Sequence, residues 1–92
     1  MIDIFGTEIK VGDLLLYVGV SGHSVEFRVK PVLQITNKKI RVHYNQFITP
    51  QKVIVITELI NNNEYIRNKY NIDISIAEEL LSRFNINKKE ID

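Results

Sequence analysis

The clearest pattern in the chain runs from Arg28 to Tyr44, RVKPVLQITNKKIRVHY, where apolar and polar residues alternate and the alternation reverses about Asn37-Lys38. With Thr36 and Lys39 flanking a two-residue turn, Ile35 faces Ile40, Leu33 faces Val42 and Pro31 faces Tyr44, which makes one face wholly apolar. The other face pairs Gln34 with Arg41 and Val32 with His43, as a half-buried hairpin requires. A slip of one residue would send Ile40, Val42 and Tyr44 to water and bury Arg41 and His43, so burial itself specifies the register. Asn37 tolerates a left-handed turn backbone, whereas Lys38 stands where Gly is preferred. Pro31 has no amide proton and belongs at a bulge, a strand start or an unpaired edge.

Upstream, Ile2-Asp3-Ile4 alternates, Gly6-Thr7-Glu8 breaks the pattern and Ile9-Lys10-Val11 resumes it, which predicts a short opening strand and turn. Gly12-Asp13 is a turn pair ahead of Leu14 to Val18, an apolar run of strand length that predicts burial on both faces. Gly19 to Ser24 is punctuated by glycine and predicts a loop. Val25 to Val29 returns to strand, with Phe27 and Val29 on one face and Glu26 and Arg28 on the other. Downstream, Asn45 to Pro50 is a connection carrying Phe47 and Ile48, and Val53 to Thr57 is a β-branched run of high strand propensity. Five short strands joined by tight turns predict a small closed barrel over residues 1–58.

The remaining third predicts a C-terminal helical pair over residues 59–87, so the expected class is mainly β (α+β). Asn61 to Asn63 offers N-caps for a helix that sets Tyr65, Ile66, Lys69 and Tyr70 on one face, with Asn71 as its C-cap. Ser75-Ile76-Ala77-Glu78 reads as the capping box of a second helix, whose stripe of Ile76, Ala77, Leu80, Leu81 and Phe84 needs a surface to pack on. That surface is the barrel or another chain, and Ile76, Leu80, Leu81 and Phe84 form the candidate helix interface. Asn85-Ile86-Asn87 predicts the stop, leaving 88–92 as a frayed tail.

At 92 residues the chain fits one domain with a single modest core, and its 45% hydrophobic content excludes wholesale disorder. No apolar run approaches the roughly 18 residues of a membrane span. No basic segment precedes the first apolar residues, so no signal peptide is expected. The absence of cysteine removes disulfides and thiolate metal sites and suits a reducing cytoplasm. The formal net charge is +1, but between Lys10 and Lys52 seven basic residues stand against two acidic, and from Val53 onward five stand against seven. The β part is basic and the tail slightly acidic, which fits an anionic partner or internal compensation.

FGTEIKVGD, the following Gly/Ser loop, RVKPVLQITNKKIRVHY and TPQKVIVI together resemble the small SH3-like or KOW-like barrel proteins found among uncharacterised open reading frames of tailed bacteriophages. The resemblance covers residues 4–57 and rests on Phe5-Gly6, Val11-Gly12-Asp13, Lys38-Lys39 at the hairpin tip and the closing Val/Ile strand. Lys30-Pro31 departs from it, since such barrels often have Gly followed by a β-former there. It implies a five-stranded SH3-like barrel and a phage origin, and it carries no activity from which to transfer a functional residue.

Candidate chemistry is sparse. Lys38, Lys39 and Arg41, with His43 and Lys30 nearby, make a basic hairpin face that would contact phosphates or would keep a solvated tip from pairing edge to edge. No exposed aromatic platform accompanies it. Gly19-Val20-Ser21-Gly22 has the spacing of a phosphate cradle, but a strand follows it instead of a helix N-terminus, and Ser21 beside His23 has no orienting acid. His23 and His43 stand alone, without metal-ligand spacing. Glu78 and Glu79 are explained by capping and the helix dipole. No catalytic residue, metal or cofactor is expected. The sequence therefore predicts a non-enzymatic cytoplasmic binding protein, phage-encoded and directed at a host protein, with no membrane role. The alternatives are an RNA- or DNA-binding module using the basic face, and a homo-oligomer joined through an edge strand or the tail helix.

Overall fold

The computed structural model describes residues 1–91. Leu14–Ser21 (β1) and Ser24–Pro31 (β2) pair antiparallel from Leu14↔Pro31 to Ser21↔Ser24. Their turn is Gly22-His23. Gly22 has φ 60°, and no described non-glycine residue has positive φ, so the turn has the type II′ arrangement that matches strand twist. Most of the stretch expected as a loop is therefore strand. Gly19 serves close approach inside it: a Cβ there would lie 2.9 Å from Cδ of Arg28, whose side chain crosses that position.

The central hairpin keeps the expected register beside its turn, whereas the expected pairs Leu33–Val42, Val32–His43 and Pro31–Tyr44 do not form in the sheet. Gln34–Ile35 (β3) and Ile40–His43 (β4) pair as Gln34↔Arg41 and Ile35↔Ile40. The turn closes through Thr36 N–H to the Lys39 carbonyl at 2.9 Å. The Thr36 hydroxyl accepts from Lys39 N–H at 3.1 Å and donates to the Lys39 carbonyl at 3.0 Å. Gln46–Ile48 (β5) adds to β4, and Val53–Val55 (β6) adds to β1 after a 3-10 turn at Pro50–Lys52. The N-terminal residues contribute an isolated bridge, Ile2↔Glu8, in place of the expected opening strand.

The expected five-stranded SH3-like barrel is not what the chain builds. Among the described residues six strands make two separate three-stranded antiparallel sheets, ordered β2-β1-β6 and β3-β4-β5, and neither closes. The reason lies at Pro31 to Leu33. Pro31 ends β2 opposite Leu14, not Tyr44. Val32 N–H then donates to the Asp13 carbonyl at 2.8 Å, and the Val32 carbonyl accepts from Gly12 N–H at 2.9 Å. Val32 is thereby anchored to the turn before β1 instead of pairing with His43, and it is fully buried where the alternation placed it outside. The fold is α+β in two sheets and a helical layer.

The alternation along β1 explains how the layers stack. Leu15 and Tyr17, with Val53 and Val55 of β6, face the second sheet and share a core with Ile9, Val32, Ile40 and Val42. Leu14, Leu16, Val29 and Ile54 face the other way and share a core with Ile56, Ile60, Ile74 and Ala77 of the helical layer. The first half of β1 is thus buried on both faces, as its apolar run predicts.

The helices are Thr57–Asn62 (α1), Glu64–Lys69 (α2) and Asn71–Ile91 (α3). Asn63 is the N-cap of α2, its side chain accepting from Ile66 N–H at 3.2 Å. The other helix boundaries differ from expectation. Asn71 opens α3 instead of capping α2, and Ser75 is interior, because Ile74 N–H bonds the Tyr70 carbonyl at 2.9 Å. Ile74 and Ala77 are buried, so packing starts this helix a turn before the capping-box sequence would. It also continues through Asn85-Ile86-Asn87 to Ile91, and Asp92 lies outside the described residues.

A polar relay ties the helical layer to β1. Asp13 accepts from Lys10 N–H at 2.9 Å and from the Thr57 hydroxyl at 2.9 Å, and the Thr57 oxygen accepts from Leu14 N–H at 3.0 Å. Thr57→Val keeps the shape and removes both bonds of the hydroxyl. It is expected to cost about 1–2 kcal/mol, measured by urea denaturation.

Candidate functional site

Beyond Tyr17 the β1–β2 hairpin runs past the helices. The cross-strand pairs Val18↔Phe27 and Val20↔Val25 continue the face that carries Leu14, Leu16 and Val29, but among the described residues no helix covers them. Their exposures are 48% and 59% for the first pair and 74% and 69% for the second. The opposite face is polar. Arg28 lies over Gly19, and its Nη2 is 3.2 Å from Glu26 Oε2. At the root of the apolar ladder Ile4, Leu16, Val18, Phe27 and Ile54 line a groove of about 450 Å³ rimmed by Gln51 and Lys52. An apolar ladder on a projecting hairpin, continuous with an apolar groove, is the kind of surface that soluble proteins reserve for contact.

Sequence reasoning missed this surface. The alternation of Val18 with Val20 and of Val25 with Phe27 was readable. Treating Gly19 to Ser24 as a loop separated the two arms, and the signal that rejoins them is Gly22-His23 as a two-residue turn.

The predicted basic face does not assemble as a single patch. Lys38 and Lys39 are exposed at the β3–β4 turn. Arg41 is engaged within the chain: Nε and Nη2 donate to the Tyr44 carbonyl, Nη1 donates to Gln34 Oε1 at 3.2 Å, and the guanidinium stands 5.3 Å from the Phe84 ring centroid. Lys30 and His43 lie elsewhere, lining a groove of about 360 Å³ between β2 and α3 with Ile76 and Leu80. Asp73, Glu79, Arg28 and Arg83 also border that groove, so its charges are mixed.

The predicted helix interface divides. Leu81 packs on the core beneath α3, and Phe84 packs on Tyr44 with ring centroids 6.2 Å apart. Leu80 is half-buried and Ile76 is exposed, both along the groove. The stripe therefore lies mainly against its own chain.

Asp3 is the one described charged residue that is buried. Its Oδ1 accepts from Phe5 N–H at 2.9 Å and Thr7 N–H at 2.8 Å, and its Oδ2 accepts from Val55 N–H at 2.9 Å. Burial pushes the carboxyl up, but the surrounding N–H donors outweigh it and hold the carboxyl below its ordinary 3.8. These bonds occupy both oxygens in fastening the N-terminal turn to the outer edge of β6, so Asp3 is structural. Among the described residues no three His, Cys, Asp or Glu side chains are grouped to hold a metal ion. No described helix is long and apolar enough to cross a membrane.

No curated protein and no solved structure matches the chain. A family model described as a domain of unknown function does match, over residues 1–71, a span that takes in both sheets, α1 and α2 and reaches the first residue of α3. The chain belongs to that family, DUF7205.

Proposed function

We propose that the protein is a non-enzymatic binding module that contacts another protein through the apolar face of the β1–β2 hairpin. One observation carries this reading: Val18, Val20, Val25 and Phe27 stand exposed together on one face of a hairpin that has left the core. Burying such a ladder against a partner supplies about 25 cal/mol per Å² of apolar area. The engagement of Arg41 within the chain weighs against the basic hairpin face as a nucleic-acid contact. A reducing cytoplasm is the compartment that suits a chain without cysteine.

The test is a capture experiment with matched variants. Val20→Thr with Phe27→Thr keeps strand-forming residues and removes apolar contact, so the fold is retained. The wild-type chain is expected to hold a defined protein in stoichiometric amount at high salt. The Thr pair is expected to lose it, and Lys38→Glu with Lys39→Glu is expected to keep it. Capture of nucleic acid alone, or equal capture by the wild type and the Thr pair, refutes the reading.

A further inference from the structure

In an antiparallel sheet each residue directs its N–H and C=O to the same side, and the side alternates along the strand. Val29 N–H points away from β1, to Asp73 Oδ2 at 3.1 Å. Val25 and Phe27 therefore also direct their N–H and C=O groups to the outer edge of β2, which is the last strand of its sheet. That edge is closed at one end and open at the other. Pro31 has no N–H, Asp73 occupies that of Val29, and α3 packs against this end. At Val25 and Phe27 no described residue outside the strand receives the N–H. Ser24 to Arg28 is thus an open edge backed by an exposed apolar face, the combination that invites strand pairing.

We infer that this open stretch pairs antiparallel with the same stretch of a second copy of the chain, about a two-fold axis at Glu26, joining two three-stranded sheets into one of six strands. The register follows from what is open. Centring on Glu26 sets Val25 opposite the partner's Phe27, and each exchanges both backbone hydrogen bonds. Centring one residue further, on Phe27, would require the strand residue Val25 to take the partner's Val29 N–H, which the Asp73 carboxylate already occupies, whereas centring on Glu26 leaves opposite Val29 only the turn residue His23, which needs no backbone bond there.

The side chains suit self-pairing. Val25 meets the partner's Phe27 on the apolar face. On the polar face the two Glu26 carboxylates meet, and like charges so placed are unfavourable alone. The Arg28 guanidiniums, each already 3.2 Å from a Glu26 oxygen of its own chain, flank them on both sides, so the cluster is neutral overall. An unrelated extended peptide would have to bring these charges, whereas a second copy carries them by symmetry. Pairing also sets the two apolar ladders side by side. Only what that joined face binds rests on the proposed function, and the pairing does not.

The purified chain alone is expected to sediment as a dimer that dissociates on dilution. Val25→Pro removes an outward N–H that β1 does not use, a substitution edge strands tolerate. It is expected to be monomeric with an unchanged circular dichroism spectrum, while Val25→Thr, which keeps the N–H, still dimerises. The chain has no cysteine, so Glu26→Cys introduces a single thiol. Across the axis the paired Cα atoms would be about 4.5 Å apart, close enough for a disulfide. Glu26→Cys is expected to oxidise to a covalent dimer much faster than Lys38→Cys on the other sheet. A monomer at every concentration, a dimer that survives Val25→Pro, or equal cross-linking at the two positions overturns the inference. Because no partner is present, failure here is separable from failure of the capture experiment.

Discussion

Asp3→Ala is expected to destabilise the protein by about 3 kcal/mol, since three backbone N–H groups lose a charged acceptor and burial keeps water from replacing it fully. In a domain of this size that corresponds to a fall in Tm of roughly 12–24 °C. Asp3→Asn, which retains one carbonyl oxygen for Phe5 and Thr7 but turns an amide toward Val55, should fall between the wild type and Ala. The same site makes a pH prediction. The folded carboxyl lies below the ordinary value of 3.8, so its contribution is fully present above 3.8 and is lost as pH falls through the folded value. The stability gap between wild type and Asp3→Asn should therefore be constant near neutrality and shrink in that acid window. Denaturant midpoints measured on both proteins across it are the check, and a gap that widens on acidification would show that the carboxylate is not what holds the turn to β6.

Leu15→Ala is expected to cost about 3–4 kcal/mol. Leu15 is fully buried on the central strand of its sheet, with β2 on one side and β6 on the other, and its side chain points into the core shared with the second sheet. The cavity has little means of collapse there, because the backbone is paired along both edges. A chain of this length has roughly 5–14 kcal/mol of total stability, so the variant should remain folded but melt far below the wild type. Val20→Ala on the same strand, at 74% exposure, removes apolar surface of similar kind and should change stability by no more than about 0.5 kcal/mol. Thermal melts of the two variants side by side separate the buried half of β1 from the projecting half. Equal destabilisation would mean that the hairpin tip is part of the cooperative core.

The central hairpin was legible because its information is local. A period of two with apolar residues in phase on both arms admits one register, and Gln34↔Arg41 and Ile35↔Ile40 follow. The N-cap at Asn63 was legible for the same reason, as a short polar side chain within reach of its own helix. The capping box at Ser75 shows where local reading stops. The motif satisfies every local rule, yet burial of Ile74 and Ala77 stabilises a helix that begins earlier, and packing outweighs a cap contribution of about 1 kcal/mol.

The candidate site was half legible. Lys30, Lys38, Lys39, Arg41 and His43 were grouped because they are close in sequence on one hairpin, but Arg41 turns its donors onto Tyr44 and Gln34, and the bend at Val32 separates Lys30 from the tip. Ile76 and Leu80 instead meet Lys30 and His43 across a groove that no single segment encodes.

By itself the sequence determined the register beside the Asn37-Lys38 turn and which strand faces differ in polarity, since alternation and turn spacing act within a few residues. Only the tertiary structure decided whether the sheet closes and which apolar faces are covered. Closure turned on two hydrogen bonds between Val32 and the Gly12-Asp13 turn, about twenty residues away in sequence. Coverage turned on where the helical layer ends. Leu14, Leu16, Val18 and Val20 are one apolar stripe in the sequence, and the helices reach only the first two.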